Sequence, residues 1–158
     1  MSEADMRQKL VKILKPLDAV SVENSVGPGT PDINFGGNWE YESPVTLRVG
    51  DGTMSGKRWM HISGWIECKW DKAWPVRGGP LRVPHYTPQQ KVWARRRCHR
   101  GGNCWLMLQV GVDWILLDGA IAALHLGNST REELIDLSLQ TWTNPPPSEE
   151  LIKCLGRT

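Results

Sequence analysis

Residues 64–70 read Gly64-Trp65-Ile66-Glu67-Cys68-Lys69-Trp70, and this segment most limits what the chain can become. In an extended strand successive side chains point to opposite faces. Trp65, Glu67 and Lys69 then share one face, while Ile66, Cys68 and Trp70 share the other. Upstream, Pro31-Asp32-Ile33-Asn34-Phe35 repeats the alternation, with Asp32 and Asn34 opposed to Ile33 and Phe35. If the two segments join one sheet, Asp32 and Glu67 form an all-oxygen donor pair suited to magnesium or manganese, with Lys69 beside it. Taken singly, neither segment says much. A Glu-x-Lys on a strand is ordinarily an exposed ion pair, and Pro-Asp after a glycine-rich loop is ordinarily a turn.

A third element follows. Thr87-Pro88-Gln89-Gln90 carries a helix N-cap, proline at the first helical position and glutamine three residues after the cap, with Gly101-Gly102 at the far end. Gln90 closes a capping box in this reading. At about 100° per residue, Gln90, Trp93, Ala94, Arg97 and Cys98 share one side of the helix, and Lys91, Arg95, Arg96 and His99 occupy the rest.

The ordered set Gly29-Thr30-Pro31-Asp32, Glu67-Cys68-Lys69 and Thr87-Pro88-Gln89-Gln90 resembles the PD-(D/E)XK nuclease superfamily, most nearly its VRR-NUC branch, which includes Holliday-junction resolvases. The resemblance spans residues 20–118. It implies a restriction-endonuclease-like α/β fold, a mixed central β-sheet flanked by helices. It also implies a metal-dependent DNA endonuclease: Asp32, Glu67 and the carbonyl of Cys68 as ligands of Mg2+ or Mn2+, Lys69 as the catalytic amine, and Gln90 reaching into the centre. Glu23, just before the glycine loop, is a further possible ligand, and a surface carboxylate is the equal alternative. Helices that open this superfamily's domains can add an acidic residue; Glu3 sits too near the chain start to attract that role. Structure-selective cleavage of branched DNA, such as Holliday junctions or flaps, follows by analogy with the family, and two coordinated cuts suggest a homodimer.

Charge placement agrees. From Lys69 to Arg100 there are nine basic residues (Lys69, Lys72, Arg77, Arg82, Lys91, Arg95, Arg96, Arg97 and Arg100) against one acid, Asp71, although the whole chain carries only +2. Lys72, Arg77, Arg82, Lys91, Arg95, Arg96 and Arg100 are the candidates for holding a phosphate backbone, because basic side chains displace its condensed counterions. A solvated helix face is the plainer account of such a block taken alone. Residues 71–86 are rich in Pro, Gly and Arg and mix aromatic with cationic groups; they serve as a strand-to-helix connection, a nucleic-acid surface, or both. Nine tryptophans belong mostly to core and rim, with some available to stack on bases.

A length of 158 residues fits one nuclease domain: an N-terminal helix over 1–17, a core over 20–118 and a helical extension over 128–158. Ser2 caps the first helix, with Met6, Leu10, Ile13 and Leu14 at helical spacing. Residues 36–63 read as a β-hairpin inserted between the two catalytic strands, serving as sheet extension, flap or dimerisation element. Two apolar runs around Gly111 read as a hairpin of buried strands. Thr130-Arg131-Glu132-Glu133 is another capping box, opening a helix that extends to about Trp142, and residues 148–155 form a last helix. The four cysteines lack the closely spaced pairs of structural zinc sites, and no signal peptide or membrane-length apolar run is visible. The expected setting is a reducing cytoplasm, bacterial or that of a phage-infected host. The competing reading is a non-catalytic DNA-binding or replication accessory protein on the same scaffold. A broken acidic pair or missing lysine would mark it, and this chain keeps all three.

Overall fold

The computed structural model describes residues 1–22, 27–42, 47–50, 52–54 and 56–156. Glu23, and with it the suggested extra ligand, lies outside them. In chain order the elements are α1 (Glu3–Ile13), β1 (Val20–Ser21), β2 (Ile33–Glu42), β3 (Leu47–Val49), β4 (Gly52–Met54), β5 (Lys57–Asp71), α2 (Pro88–His99), β6 (Cys104–Val110), β7 (Asp113–Asp118), α3 (Gly119–His125), α4 (Arg131–Leu137), β8 (Gln140–Thr143) and α5 (Ser148–Leu155).

Six strands form one sheet in the order β1-β2-β5-β6-β7-β8. β5 and β6 are parallel, with α2 in the crossover between them, and every other pairing in this sheet is antiparallel. This is the α/β architecture anticipated, a mixed sheet with helices on both sides. β6 is buried along its whole length, as a strand covered on both faces should be. One core layer joins Met6 and Leu10 of α1 and Leu151 and Ile152 of α5 to Ile33, Phe35, Ile66, Cys68, Trp105 and Met107. The opposite layer packs Leu81, Val83, Tyr86, Ala122 and Leu134 on Leu106, Leu108, Val110, Ile115 and Leu117. Ile33, Phe35, Ile66 and Cys68 thus occupy the apolar face assigned to them by alternation.

The strands on either side of the site are longer than the sequence suggested. β2 and β5 stay paired from Ile33 opposite Ile66 out to Glu42 opposite Lys57. Residues 36–42 and 57–63 continue the two strands, which is the sheet extension among the alternatives for the 36–63 hairpin. Beyond them β3 pairs antiparallel with β4 in a separate two-stranded ladder. The Thr130 helix also ends early. Ser138 is its C-cap, and residues 140–143 form β8 with Trp142 opposite Trp114. Ser138 and Leu139 leave the helix, and the Leu139 N–H donates to the carbonyl of Leu116, which starts the edge strand.

Candidate active site

Glu67 and Lys69 fall on the sheet face that α2 covers, and they are not a surface pair. Glu67 is 4% exposed and Lys69 1%, and among the described residues only Gln109 and Ser129 join them as buried polar side chains. Burying two charges is costly unless they are paired. Here Lys69 Nζ lies 2.6 Å from Glu67 Oε1 and 3.5 Å from Glu3 Oε1. The Tyr86 ring adds a π-face 5.9 Å from the ammonium.

The Asp32 carboxylate arrives from the neighbouring strand. Ile33 is opposite Ile66, so one further step of the same register sets Asp32 across from Glu67. The step is held by the Cys68 N–H, which donates to Asp32 Oδ2 at 2.8 Å, and by Val22 N–H donating to the Asp32 carbonyl at 2.8 Å. Arg7, from the second turn of α1, reaches Asp32 Oδ1 at 3.2 Å.

Gln90 comes from the first turn of α2. Thr87 Oγ1 accepts from the Gln90 N–H, and Gln90 Oε1 accepts from the Thr87 N–H at 2.8 Å, the anticipated capping box. Its free end is not idle: Nε2 donates to Glu67 Oε1 at 2.7 Å. The glycine loop fixes this helix end in place. Gly29 has φ +86°, and a Cβ built there would lie 2.5 Å from the Gln89 carbonyl oxygen, so the loop carrying Pro31 and Asp32 seats directly on the start of α2. Asp32, Glu67, Lys69 and Gln90 therefore converge.

Two contributors escaped the sequence reading. Glu3, set aside for its nearness to the chain start, bridges Lys69 and His85, whose Nε2 lies 3.0 Å from Glu3 Oε2. Arg7 pairs with Asp32 from the same helix, whose apolar spacing says nothing of it. The available signal was the four-residue step that stacks Glu3 and Arg7 on one side of α1.

Three carboxylates (Glu3, Asp32, Glu67) face two cations (Arg7, Lys69), leaving an excess of negative charge. Burial first, and then the charge of Asp32, pushes the Glu67 carboxyl up to about 8. Burial works against the Lys69 ammonium, yet Glu67, then Glu3 and Asp32, hold it above its ordinary range. Both groups hold their protons more tightly than usual, Glu67 chiefly because it is buried and Lys69 because carboxylates surround it. A divalent cation suits the excess of negative charge: Asp32, Glu67 and the Cys68 carbonyl are hard oxygen donors on adjoining strands. Among the described residues no group of three His, Cys, Asp or Glu side chains assembles for a metal, so remaining positions would fall to water or substrate oxygens. Cys68, Cys98 and Cys104 are free thiols.

Of the basic candidates, Lys72, Arg77, Arg82, Arg95, Arg96 and Arg100 are exposed along the 72–87 connection and α2. Lys91 is half-buried, with its ammonium 5.3 Å from the Tyr86 ring, and Arg82 donates to the Gly127 carbonyl at 3.3 Å. On the opposite side of α2, Ala94 is buried and Trp93 meets Trp65 edge-on. No described helix is long and apolar enough to cross a membrane.

No family model and no curated protein matches this chain. Among solved structures, Hjc, a Holliday junction resolvase from the archaeal hyperthermophile Archaeoglobus fulgidus, is similar over 86% of this chain and 90% of its own, with 18% identity and a TM-score of 0.47. The roles of the site residues rest on their own geometry.

Proposed function

We propose that this chain is a metal-dependent endonuclease that hydrolyses phosphodiester bonds in DNA, acting on branched substrates. The observation that carries the reading is the buried Glu67–Lys69 pair, tied by Gln90 and facing Asp32 one register step away. A buried pair of this kind is a poor device for stability alone, since apolar residues of like volume serve as well or better. An acid pair, an adjoining ammonium and an amide on the acid match the residue types that the PD-(D/E)XK resemblance assigns to hydrolysis.

Asp32, Glu67 and the Cys68 carbonyl would hold magnesium or manganese, which when bound supplies Lewis-acid polarisation of the scissile phosphate and a more acidic bound water. Lys69 Nζ, already fixed between Glu67 and Glu3, would donate to the phosphate oxygen on which negative charge accumulates. Gln90 keeps one Glu67 oxygen occupied, so that the carboxylate cannot rotate away. The exposed arginines and lysines of the 72–100 region would hold the DNA backbone, independent of base sequence. Selectivity for branched DNA follows the motif resemblance, and resolution of a junction by paired cuts would call for a homodimer.

Labelled four-way, flap and linear DNA of common sequence, incubated with the chain in magnesium, test this directly. Cleavage of a branched substrate is expected, lost in Asp32→Ala and Glu67→Ala with DNA binding retained, and largely lost in Lys69→Ala. No cleavage by the unaltered chain, or an unchanged rate in either acidic variant, overturns the reading. Mass in solution tests the dimer.

A further inference from the structure

Next to the candidate centre lies a groove of about 560 Å³, lined by Asn34, Ser63, Trp65, Arg97 and Asn103 among others. α2 runs back along β5. Gln90 touches Glu67, Trp93 meets Trp65 at 5.5 Å between ring centroids, and Arg97 reaches the space over Ser63. The Trp65–Trp93 contact is therefore a partition, with the carboxylates on one side and the groove on the other. Glu67 and Trp65 are two strand residues apart, roughly 6.8 Å.

The groove is built from groups with unspent capacity. Asn34 Nδ2 donates to the Gly64 carbonyl at 3.1 Å and Asn103 Nδ2 to the Ser63 carbonyl at 3.0 Å. Because each acceptor is a carbonyl, the nitrogen end of each amide is fixed. Both side-chain oxygens are left without a protein donor among the described residues. The Arg97 guanidinium lies 4.8 Å from the Trp93 ring centroid, and the side chain is exposed without a carboxylate partner among the described residues. A Cβ at Gly102 would run into that arginine, so the glycine keeps its pose open. Arg96, Arg97 and Arg100 also border an adjoining hollow at the end of α2 and make that end positive.

A cation resting on an indole and two free amide oxygens, with Arg96 and Arg100 close by and Asp18 the one acid among the described lining residues, make a receptor for an unpaired nucleotide: a planar base to stack, exocyclic N–H groups to donate and a phosphate to neutralise. We infer that the groove holds one unpaired nucleotide of the DNA strand, adjacent to the phosphate that the Asp32–Glu67 centre would cleave. The inference rests on the nuclease reading for what happens at that phosphate. A base in continuous duplex is stacked and paired and cannot enter, so the groove would distinguish a branch, gap or frayed end from intact helix by admitting a base.

Binding measured without metal, in chelator, separates this site from cleavage. Arg97→Ala is expected to weaken fluorescence-anisotropy binding to a gapped or flapped duplex by roughly tenfold, the effect of losing one stacking partner. Its binding to continuous duplex should change less than twofold. Arg97→Lys, which keeps the charge but loses the planar stack, should recover only part of the loss. A 2-aminopurine base at the unpaired position should change its emission on binding the unaltered chain and not on binding Arg97→Ala. Equal weakening on gapped and continuous DNA, or an unresponsive probe, overturns the groove assignment. If the chain cuts no DNA yet the differential survives, the nuclease reading fails and the nucleotide site stands.

Discussion

Gln90 Nε2 donates to Glu67 Oε1 across 2.7 Å while the other end of the same amide closes the capping box at Thr87. One side chain both starts α2 and constrains the candidate acid. The two duties separate on substitution. Gln90→Glu keeps a side chain suited to the box but sets a second carboxylate against Glu67. Its melting temperature should stay near that of the unaltered chain while the cleavage rate falls by about tenfold or more, on the order of 1.4 kcal/mol in the barrier. Gln90→Ala should lose rate and also about 1 kcal/mol of stability. Rates together with thermal melts distinguish the two.

Lys69 is enclosed with the acids it neutralises. Lys69→Met removes the ammonium but leaves Glu67 buried, and breaking such a pair costs on the order of 3–5 kcal/mol. The cost should be largest above pH 8 and smaller at pH 6, where Glu67 can take up a proton instead. Urea denaturation at the two pH values measures this. An equal loss at both would mean that Glu67 does not respond to its partner.

The Glu67 carboxyl gives the chain a pH signature. Its ordinary value of 4.5 rises to about 8 in the fold, so between those values the folded chain holds a proton that the unfolded chain has released. Stability should therefore fall as pH rises through that window and level off above it. Glu67→Gln should flatten the melting profile. Cleavage, which needs the carboxylate, should rise over the same range, with its midpoint moving lower as metal concentration increases. Glu3 contributes to the upward shift, so Glu3→Gln should also move the midpoint to lower pH.

Gly29 tests how the loop positions the centre. Its φ of +86° and its closeness to the Gln89 carbonyl leave no room for a methyl group. Gly29→Ala should cost more than about 1 kcal/mol. It should also slow cleavage by shifting the loop that carries Asp32 relative to α2, whereas Gly27→Ala, with nothing within 4 Å of the added carbon, should do neither. Thermal melts with single-turnover rates would show the contrast.

Much of this site was legible because its signals are local. Alternation assigns Glu67 and Lys69 to one strand face, and the Thr87–Gln90 spacing begins a helix, while only the motif resemblance implies that Gln90 reaches the centre. What could not be read depends on contacts between distant segments. The extension of β2 and β5 through residues 36–42 and 57–63 has no apolar alternation as clean as that of residues 64–70, because the arm packs only in part. Residues 138–143 follow an apolar helical spacing, but the open edge of β7 takes them as a strand. Glu3 reaches Lys69 only because α1 packs its Met6 and Leu10 on the sheet, a placement no spacing within the first helix encodes.

Proline at its first turn, a reciprocal cap and a glycine loop pressed against its start leave α2 little freedom to slide along β5. From Gln90 to Arg97 is seven residues, about 10.5 Å of rise. The helix is thus a fixed gauge: a base lodged at one end determines which linkage lies at the other. Incisions should fall at a constant offset from the branch point, whatever the sequence around it.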